Sequence, residues 1–452
     1  MNQETEKVDL LIRGGVALTL SEEKEVVVNP AIGVRGERIL FVEKGDWEGL
    51  RRIYAKETLD ALNALIMPGL VNTHTHVPMV AFRGMADDLP LMDWLNRYIF
   101  PAEKKYVNRD MVYTSARLAV AEMILSGTTT FCDGYFFESE VAEAALECGI
   151  RAVPGAGFID PAFPASPDLT KQVEIARRFV DRWANRYGLI RPALFCHSPY
   201  SCTPETIRAV KEVARESGVP FLIHLSETKD EVELTKNLYG VSPVRHLRSL
   251  GVLDENTVAI HAVWVDDEEI GILCDHGVKV SHCPESNMKL ASGICPLPKL
   301  LEKGIKVGLG TDGAASNNDL DMFGEMDKAA KLGKVAGMDP TAVSAKAVLK
   351  LATVGGAEVL GMEREIGSLE PGKYADLILV DLKKPHLTPM YNPYSHIVYA
   401  ASGADVKTVI IAGRVVMKDR RLLTLDVEAA MTGVAEIAEA VKKNPSFSRF
   451  SP

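Results

Sequence analysis

Apolar and polar positions follow two different patterns along this chain. In the first part, short apolar runs divided by tight turns predict strands over residues 8–12, 16–20, 31–35 and 36–42. From residue 68 onward, short apolar runs alternate with longer helical patterns. Beyond residue 365 the pattern of short apolar runs and tight turns returns, and it predicts strands over residues 375–381, 406–412 and 413–417. A helix is then predicted over residues 426–443.

The middle of the chain predicts a barrel. Thr203 can cap a helix that starts at Pro204 and ends before Gly218, and further helices are indicated over residues 110–126 and 139–149, the latter capped by Ser139. Eight candidate strands are centred near residues 70, 130, 152, 195, 222, 259, 280 and 308. Strands and helices in this alternation are typical of a (β/α)₈ TIM-type barrel, with a doubly wound sheet as the alternative.

The outer segments are too short for stable independent sheets. We therefore predict that residues 1–67 and 366–452 form one discontinuous β-sandwich, with a helix at the end of the second segment. The barrel then comprises residues 68–365.

Side chains that can bind metal follow several predicted strands. The apolar run of residues 64–71 leads to His74 and His76, which point to the same face if the strand continues. Three further short apolar runs end in, or are followed by, His224, His261 and Asp312. The closed barrel is preferred to the doubly wound sheet because it brings all these strand ends around one centre.

Three imidazoles and one carboxylate, from His74, His76, His224 and Asp312, suit one divalent ion, with Zn²⁺ expected first and Fe²⁺ second. The predicted fourth strand, residues 193–197, has no lysine that could bridge two metals after modification. We therefore expect one ion per chain. Such an ion lowers the pKa of a bound water toward ~7.

Neighbouring residues are candidates for proton transfer. Asp312 can accept the proton of the water, and His261 can hydrogen-bond to that water from outside the ligand set. Glu227, three residues after His224, can protonate a ring nitrogen of the substrate. The alternatives are a core histidine with a structural hydrogen bond and a solvated glutamate. His197, at the fourth strand end, can contact substrate or close a loop.

Composition narrows the class of protein. The 452 residues carry a formal net charge of −10 and no basic run, which argues against nucleic acid or an anionic membrane as a partner. The N-terminus has no apolar signal core, and no apolar stretch approaches the ~20 residues that span a bilayer. Seven scattered cysteines, with no Cys-x-x-Cys pair, indicate free thiols and a cytoplasmic protein.

Together these motifs resemble the amidohydrolase superfamily. The segments concerned are PGLVNTHTH at residues 68–76, HLSE at 224–227, His261, HCPESNMKL at 282–290 and GTDGAAS at 310–316. The chain is most similar to the group of methylthioadenosine/S-adenosylhomocysteine deaminases, over nearly its whole length. The resemblance implies one metal ion and hydrolytic deamination of 5′-methylthioadenosine, S-adenosylhomocysteine or adenosine, giving the inosine analogue and ammonia.

The same resemblance implies a small-molecule nucleoside substrate and local roles. Residues 83–94 and 100–103 are similar to a loop that covers the nucleoside, so that Trp94 packs near the 5′ substituent and Glu103 accepts the ribose hydroxyls. His197 matches a ribose-side contact. Other members act on guanine- or triazine-type rings by aminohydrolase or chlorohydrolase chemistry, and a barrel can also survive as a non-catalytic scaffold; both stay open as alternatives. The role of His282 and the oligomeric state, a homo-oligomer included, also stay open.

One departure from the group concerns the 5′ tail. Arginines after the third strand can hold the amino-acid carboxylate of S-adenosylhomocysteine, but here Arg151 begins that strand, at the end away from the site. The loop after it offers Phe158 and Phe163 instead. We therefore expect methylthioadenosine or adenosine to be preferred over S-adenosylhomocysteine.

Overall fold

The protein is described by a computed structural model that covers residues 6–46, 48–160, 168–184 and 188–444. Its first part is built from short strands, as the sequence predicts. These strands are β1 (Glu6–Arg13), β2 (Val16–Leu18), β3 (Val26–Val28), β4 (Pro30–Arg35), β5 (Arg38–Lys44), β6 (Ile53–Asp60) and β7 (Ala64–Pro68).

Eight parallel strands then pair in chain order. They are β8 (Leu70–Thr75), β9 (Thr128–Tyr135), β10 (Arg151–Phe158), β11 (Ala193–Cys196), β12 (Phe221–Leu225), β13 (Thr257–His261), β14 (Lys279–His282) and β15 (Val307–Leu309). The first and last strands meet through a bridge between Thr75 and Asp312 and a hydrogen bond from the Asp312 N–H to the His74 carbonyl (3.0 Å). The predicted barrel is confirmed, and its closing seam lies among the candidate ligands.

The chain then returns to the first domain through β16 (Leu377–Asp381), β17 (Val406–Ile411), β18 (Arg414–Lys418) and β19 (Arg421–Leu422). Two mixed sheets result. One has the order β5-β4-β1-β6, and the other, β19-β18-β17-β16-β7-β2-β3, joins strands from both ends of the chain. The predicted mixing of N- and C-terminal segments is thus confirmed, while the domain borders at residues 67 and 365 stay predictions.

Helices surround the barrel and complete the fold. The α-helices are α1 (Leu91–Trp94), α2 (Phe100–Tyr106), α3 (Arg109–Leu125), α4 (Glu138–Cys148), α5 (Leu169–Trp183), α6 (Pro204–Ser217), α7 (Lys229–Tyr239), α8 (Pro243–Ser249), α9 (Asp267–Asp275), α10 (Pro284–Lys289), α11 (Leu297–Glu302), α12 (Met322–Gly337), α13 (Ala345–Lys350), α14 (Gly356–Val359), α15 (Pro393–Tyr399) and α16 (Val427–Lys442). Short 3₁₀ or π segments cover Glu48–Arg52, Val77–Phe82, Leu95–Ile99, Leu351–Gly355, Pro385–Leu387 and Gly403–Asp405. Within the described residues, no helix is both long and apolar enough to cross a bilayer.

Two local predictions are wrong. The apolar run of residues 64–71 is not one strand: β7 pairs with β16 in the sandwich, whereas β8 begins the barrel. The break falls at Gly69, where a Cβ would lie 2.0 Å from Thr129 Oγ1. Ser139 does not cap α4, because the helix begins one residue earlier; its hydroxyl accepts a hydrogen bond from Trp183 Nε1 (3.1 Å) instead.

Candidate active site

Four polar side chains converge at the carboxyl end of the barrel. His74 is the penultimate residue of β8 and His76 lies just beyond its end, His224 lies in β12, and Asp312 follows β15. Their candidate ligand atoms all lie within 4.8 Å of one another. His224 Nε2 is 3.1 Å from His74 Nε2, and Asp312 Oδ1 is 3.5 Å from His74 Nε2 and 3.4 Å from His76 Nε2. The structure therefore brings together the four residues predicted to bind metal.

Hydrogen bonding around the imidazoles fits a bound cation. His76 Nδ1 donates to the Gly134 carbonyl (2.6 Å), which leaves a lone pair on Nε2, facing a carboxylate oxygen. At most one of the facing Nε2 atoms of His74 and His224 can carry a hydrogen on the line between them. Burial lowers the pKa of His74 to about 4 and that of His224 well below its usual range, so both rings are neutral ligands at neutral pH. This donor set suits a zinc-like divalent ion.

Asp312 is held as a carboxylate. Burial opposes its charge, but the hydrogen bond with His74 and the surrounding imidazoles keep its pKa well below the usual range. Ser286 Oγ donates to Oδ2 (2.6 Å), and the Gly313 N–H donates to Oδ1 (2.8 Å). These two protein contacts therefore fix the orientation of the carboxylate.

Glu227 and His261 face each other beside this cluster. Glu227 Oε2 lies 3.8 Å from His261 Nε2, and Oε1 accepts from Ser292 Oγ (3.2 Å). His261 Nδ1 donates to the Asn287 side-chain oxygen (3.0 Å), which leaves Nε2 directed toward Glu227. Burial raises the pKa of Glu227 despite the opposing influence of His261. The pair can hold a proton next to the cluster.

Beside the cluster lies a cavity of about 810 Å³, its open mouth included, that is lined by His76, His224 and Asp312 and by the facing pair Glu227 and His261. The other predicted contacts, Trp94, Glu103 and His197, also line it, and the ring centroids of His197 and His224 are 5.0 Å apart. Most of the remaining wall is apolar, as expected of a small-molecule site. Within the part of the chain that the structure describes, neither lysine nor arginine lines the cavity.

Glu103 is a buried acid whose chain neighbours in the cavity lining, Leu95, Ile99 and Phe100, are apolar. Tyr135 Oη donates to Glu103 Oε1 (2.5 Å). Burial raises the pKa of Glu103 to about 7, although the Tyr135 hydrogen bond works in the opposite direction. This carboxyl group can therefore switch between acceptor-only and donor forms near neutral pH.

The predicted preference among the 5′ substituents of the substrate depends on residues at both ends of β10. Phe158 lines the cavity, as expected, whereas Phe163 lies outside the described residues. Arg151 is at the opposite end of the barrel, where its Nε lies 2.8 Å from Asp376 Oδ2. His282 is buried, and Nδ1 has no hydrogen-bond partner among the described residues.

Sequence reasoning missed several residues that support the site. Tyr135, Ser286 and Asn287 hold site residues from other elements, and their sequence neighbourhood gives no sign of these partners. Glu231 is different, because Thr228-x-x-Glu231 is a capping-box pattern that was visible in the sequence. Its carboxylate accepts from two backbone N–H groups at the end of β12.

Comparison with known proteins agrees with this geometry. The profile of the Amidohydrolase family matches residues 65–416. The 5-methylthioadenosine/S-adenosylhomocysteine deaminase of Syntrophobacter fumaroxidans is 49% identical, over 96% of this chain and 99% of the relative. The 5′-deoxyadenosine deaminase of Methanopyrus kandleri is 43% identical, over 95% and 98%. The crystal structure of an adenosine deaminase from Xanthomonas campestris with bound zinc is 36% identical, with a TM-score of 0.94 over 97% of this chain and 100% of the other.

Proposed function

Because this chain belongs to the amidohydrolase family, we propose that it hydrolyses the amino group of a 5′-substituted adenosine. The products are the inosine analogue and ammonia. The observation that carries this proposal is the convergence of His74, His76, His224 and Asp312 at a cavity that the last three of them line together with a buried acid, Glu227. Relatives named as deaminases of methylthioadenosine, S-adenosylhomocysteine and 5′-deoxyadenosine support the choice of substrate class.

The chain's own residues divide the proton transfers. His74, His76, His224 and Asp312 would hold one divalent ion, which supplies Lewis-acid activation of water at neutral pH when bound. Glu227, whose pKa burial raises, donates a proton to the ring nitrogen beside the amine. Asp312 accepts the proton of the attacking water at a carboxylate oxygen and delivers it to the amine, which leaves as ammonia. The proton of the new hydroxyl group returns to Glu227 as the carbonyl forms.

His261 acts next to this exchange. Its Nε2 faces Glu227, and the Asn287 contact fixes which ring nitrogen carries the hydrogen. We assign His261 a hydrogen bond to the attacking water from outside the ligand set.

The walls of the cavity support a nucleoside subsite. Glu103 would accept the ribose hydroxyls, Trp94 would pack against the 5′ substituent, and His197 would contact the sugar from the other side. All three side chains line the same cavity, and Glu103 is buried.

The absence of cations from the described cavity wall supports a preference among tails. A methylthio or 5′-deoxy group gains from contact with Phe158 and Trp94. The carboxylate of a homocysteine tail would lose hydration without finding a partner there. We therefore infer that methylthioadenosine and 5′-deoxyadenosine are better substrates than S-adenosylhomocysteine.

A substrate panel tests both levels of this proposal. Ammonia release is measured for adenosine, 5′-deoxyadenosine, methylthioadenosine, S-adenosylhomocysteine and guanine, and chloride release for a chlorotriazine. We expect deamination of the adenosines, with kcat/KM for methylthioadenosine at least ~10-fold above that for S-adenosylhomocysteine, a difference of ~1.4 kcal/mol. Chloride release without ammonia would overturn the function, whereas S-adenosylhomocysteine as the best substrate would overturn only the tail preference.

We also propose the identity of the metal ion and the cellular compartment. We propose zinc, because the donor set suits it and the Xanthomonas structure is described with bound zinc. Elemental analysis should find one ion per chain. All seven cysteines are free in the structure, which supports a reducing cytoplasm as the site of action.

A further inference from the structure

Glu231 is a buried acid that touches the backbone of the proposed proton donor. It lies in the first turn of α7 and is only 5% exposed. One carboxylate oxygen accepts from the Ser226 N–H (2.8 Å) and the other from the Glu227 N–H (2.7 Å). Both oxygens are therefore committed to the segment between β12 and α7.

A second helix shows what this glutamate would do in an ordinary cap. At the start of α9, Asp266 accepts from the Glu269 N–H (2.8 Å), and Glu269 Oε2 accepts from the Asp266 N–H (2.9 Å). At α7, Thr228 Oγ1 accepts from the Glu231 N–H (3.1 Å) in the same way. The carboxylate of Glu231, however, bonds to the N–H groups of the two residues that precede Thr228.

The segment that Glu231 holds is under conformational constraint. Ser226 has φ = 53°, in the left-handed region that non-glycine residues rarely adopt. Its carbonyl accepts from the N–H groups of Val263 (3.1 Å) and Trp264 (2.8 Å), just after β13. The peptide unit is therefore fixed on one side by β13 and on the other by Glu231.

We propose that Glu231 is a positioning residue that aims the Glu227 carboxyl at the cavity, an inference that rests on the proposed role of Glu227 as proton donor. A carboxylate offers two acceptor oxygens to two N–H donors, and no neutral side chain of this size does the same. Burial raises the pKa of Glu231 to about 7, against the two N–H groups that lower it, so the group is kept in an environment that disfavours its charge. Loss of one acceptor should release the Glu227 backbone without touching the metal ligands.

The test uses the metal-loaded full chain and methylthioadenosine. Glu231→Gln keeps the shape but directs an amide NH₂ toward a backbone N–H. We expect kcat to fall by ~10-fold or more, since a misplacement of ~1 Å can cost ~10²-fold, with KM within about threefold and metal content unchanged. Glu269→Gln is the matched control at the ordinary capping box, and it should lower Tm while leaving kcat within about twofold.

A double-mutant cycle separates positioning from general damage. If Glu231 acts through Glu227, adding Glu231→Gln to Glu227→Gln should lower kcat by less than about twofold further, because the two effects are not additive. Should Glu231→Gln not fold, Glu231→Asp, whose carboxylate is one methylene short of the two N–H groups, enters the same cycle with the same expectation. Additive losses, or unchanged kcat in the single variant, would overturn the inference.

The cycle also separates this inference from the function itself. Wild-type enzyme that releases no ammonia from any nucleoside contradicts the proposed function. Wild-type activity that depends on Glu227 but not on Glu231 contradicts the positioning role alone.

Discussion

The two ends of the barrel bury polar groups in opposite ways. At the amino end, Arg151 and Asp376 pair at 2.8 Å, the Gly188 carbonyl accepts from Arg151 Nη1 (2.8 Å), and Asp376 Oδ1 accepts from the Ala412 N–H (2.6 Å). The Tyr374 ring lies 4.2 Å from the Arg151 guanidinium. At the carboxyl end, ring nitrogens face one another and a carboxylate.

Burial of polar side chains therefore does not by itself mark a functional site in this fold. Both clusters are almost completely buried, but the amino-end cluster pairs a cation with an anion, whereas the carboxyl-end cluster also brings the ring nitrogens of His74 and His224 together. The carboxyl-end cluster places acceptor next to acceptor, as in the approach of His76 Nε2 to Asp312. Without a cation, such an arrangement lowers the stability of the folded protein. We interpret this loss of stability as a consequence of the cluster's role in binding a cation.

The largest effect should come from His74→Ala. Removal of one ligand atom should abolish ion binding and reduce ammonia release to below detection. Added metal should raise the Tm of wild type but not that of the variant, because only a protein that binds the ion in its folded state is stabilised by it. Elemental analysis and thermal unfolding check the two statements, and retained activity after chelation would show that the carboxyl-end cluster is structural as well.

Arg151→Met should show the reverse behaviour. Asp376 would be left buried without its cation, which typically costs ~3–5 kcal/mol of unfolding free energy. Urea unfolding measures this loss, while kcat/KM of the folded fraction should stay within about twofold. Arg151→Met combined with Asp376→Leu should recover part of the stability. A fall in kcat without a fall in stability would contradict the division between the two ends.

Glu227→Gln sharpens the comparison within the carboxyl end. It preserves size and hydrogen bonding but removes the titratable group, so turnover should fall by at least ~10²-fold. Metal content and Tm should match wild type, because Glu227 is outside the ligand set. Near-normal turnover would assign this acid to structure.

The smallest effect concerns Glu103 and pH. Because burial raises its pKa to about 7, the group is protonated below that pH and becomes a stronger acceptor for ribose hydroxyls above it. KM should therefore fall, by roughly threefold to tenfold, as pH rises through neutrality. Glu103→Gln should flatten this dependence, and Tyr135→Phe should move it to higher pH, since the Tyr135 hydrogen bond lowers the pKa. A wild-type KM that is constant with pH would contradict the ribose role.

The barrel and the convergence of ligands were predictable from the sequence because both follow from local pattern. An apolar run gives a strand, and parallel strands in a barrel send their carboxyl ends to one face. His74, His224 and Asp312 could therefore be placed together although they are far apart in the chain. The break of the run at Gly69 was not visible, because an apolar run does not say which sheet each half joins.

Contacts between side chains were harder to predict from the sequence. Tyr135 reaches Glu103 from another element, and Asn287 of α10 reaches His261 at the end of β13. Neither partner could be deduced from the periodicity of the sequence. Periodicity indicates the face of a helix or strand on which a residue lies, but not the side chain that it contacts. Glu231 is an intermediate case, since its capping pattern was present in the sequence but its carboxylate bonds to earlier residues than the pattern implies.

The seam of the barrel has a consequence for how the protein acquires its site. Asn72 Nδ2 donates to Thr311 Oγ1 (2.8 Å) across the seam, between residues 239 positions apart in the sequence. During folding, a loop of that length closes late, because the conformational entropy lost on closure must be overcome before the contact can stabilise the chain. His74 and His76 come from one side of the seam and Asp312 from the other, so none of the shorter partial barrels contains the complete ligand set. Pairing of the first strand with the last therefore completes the ligand set, so that all four ligands come together only in the closed barrel.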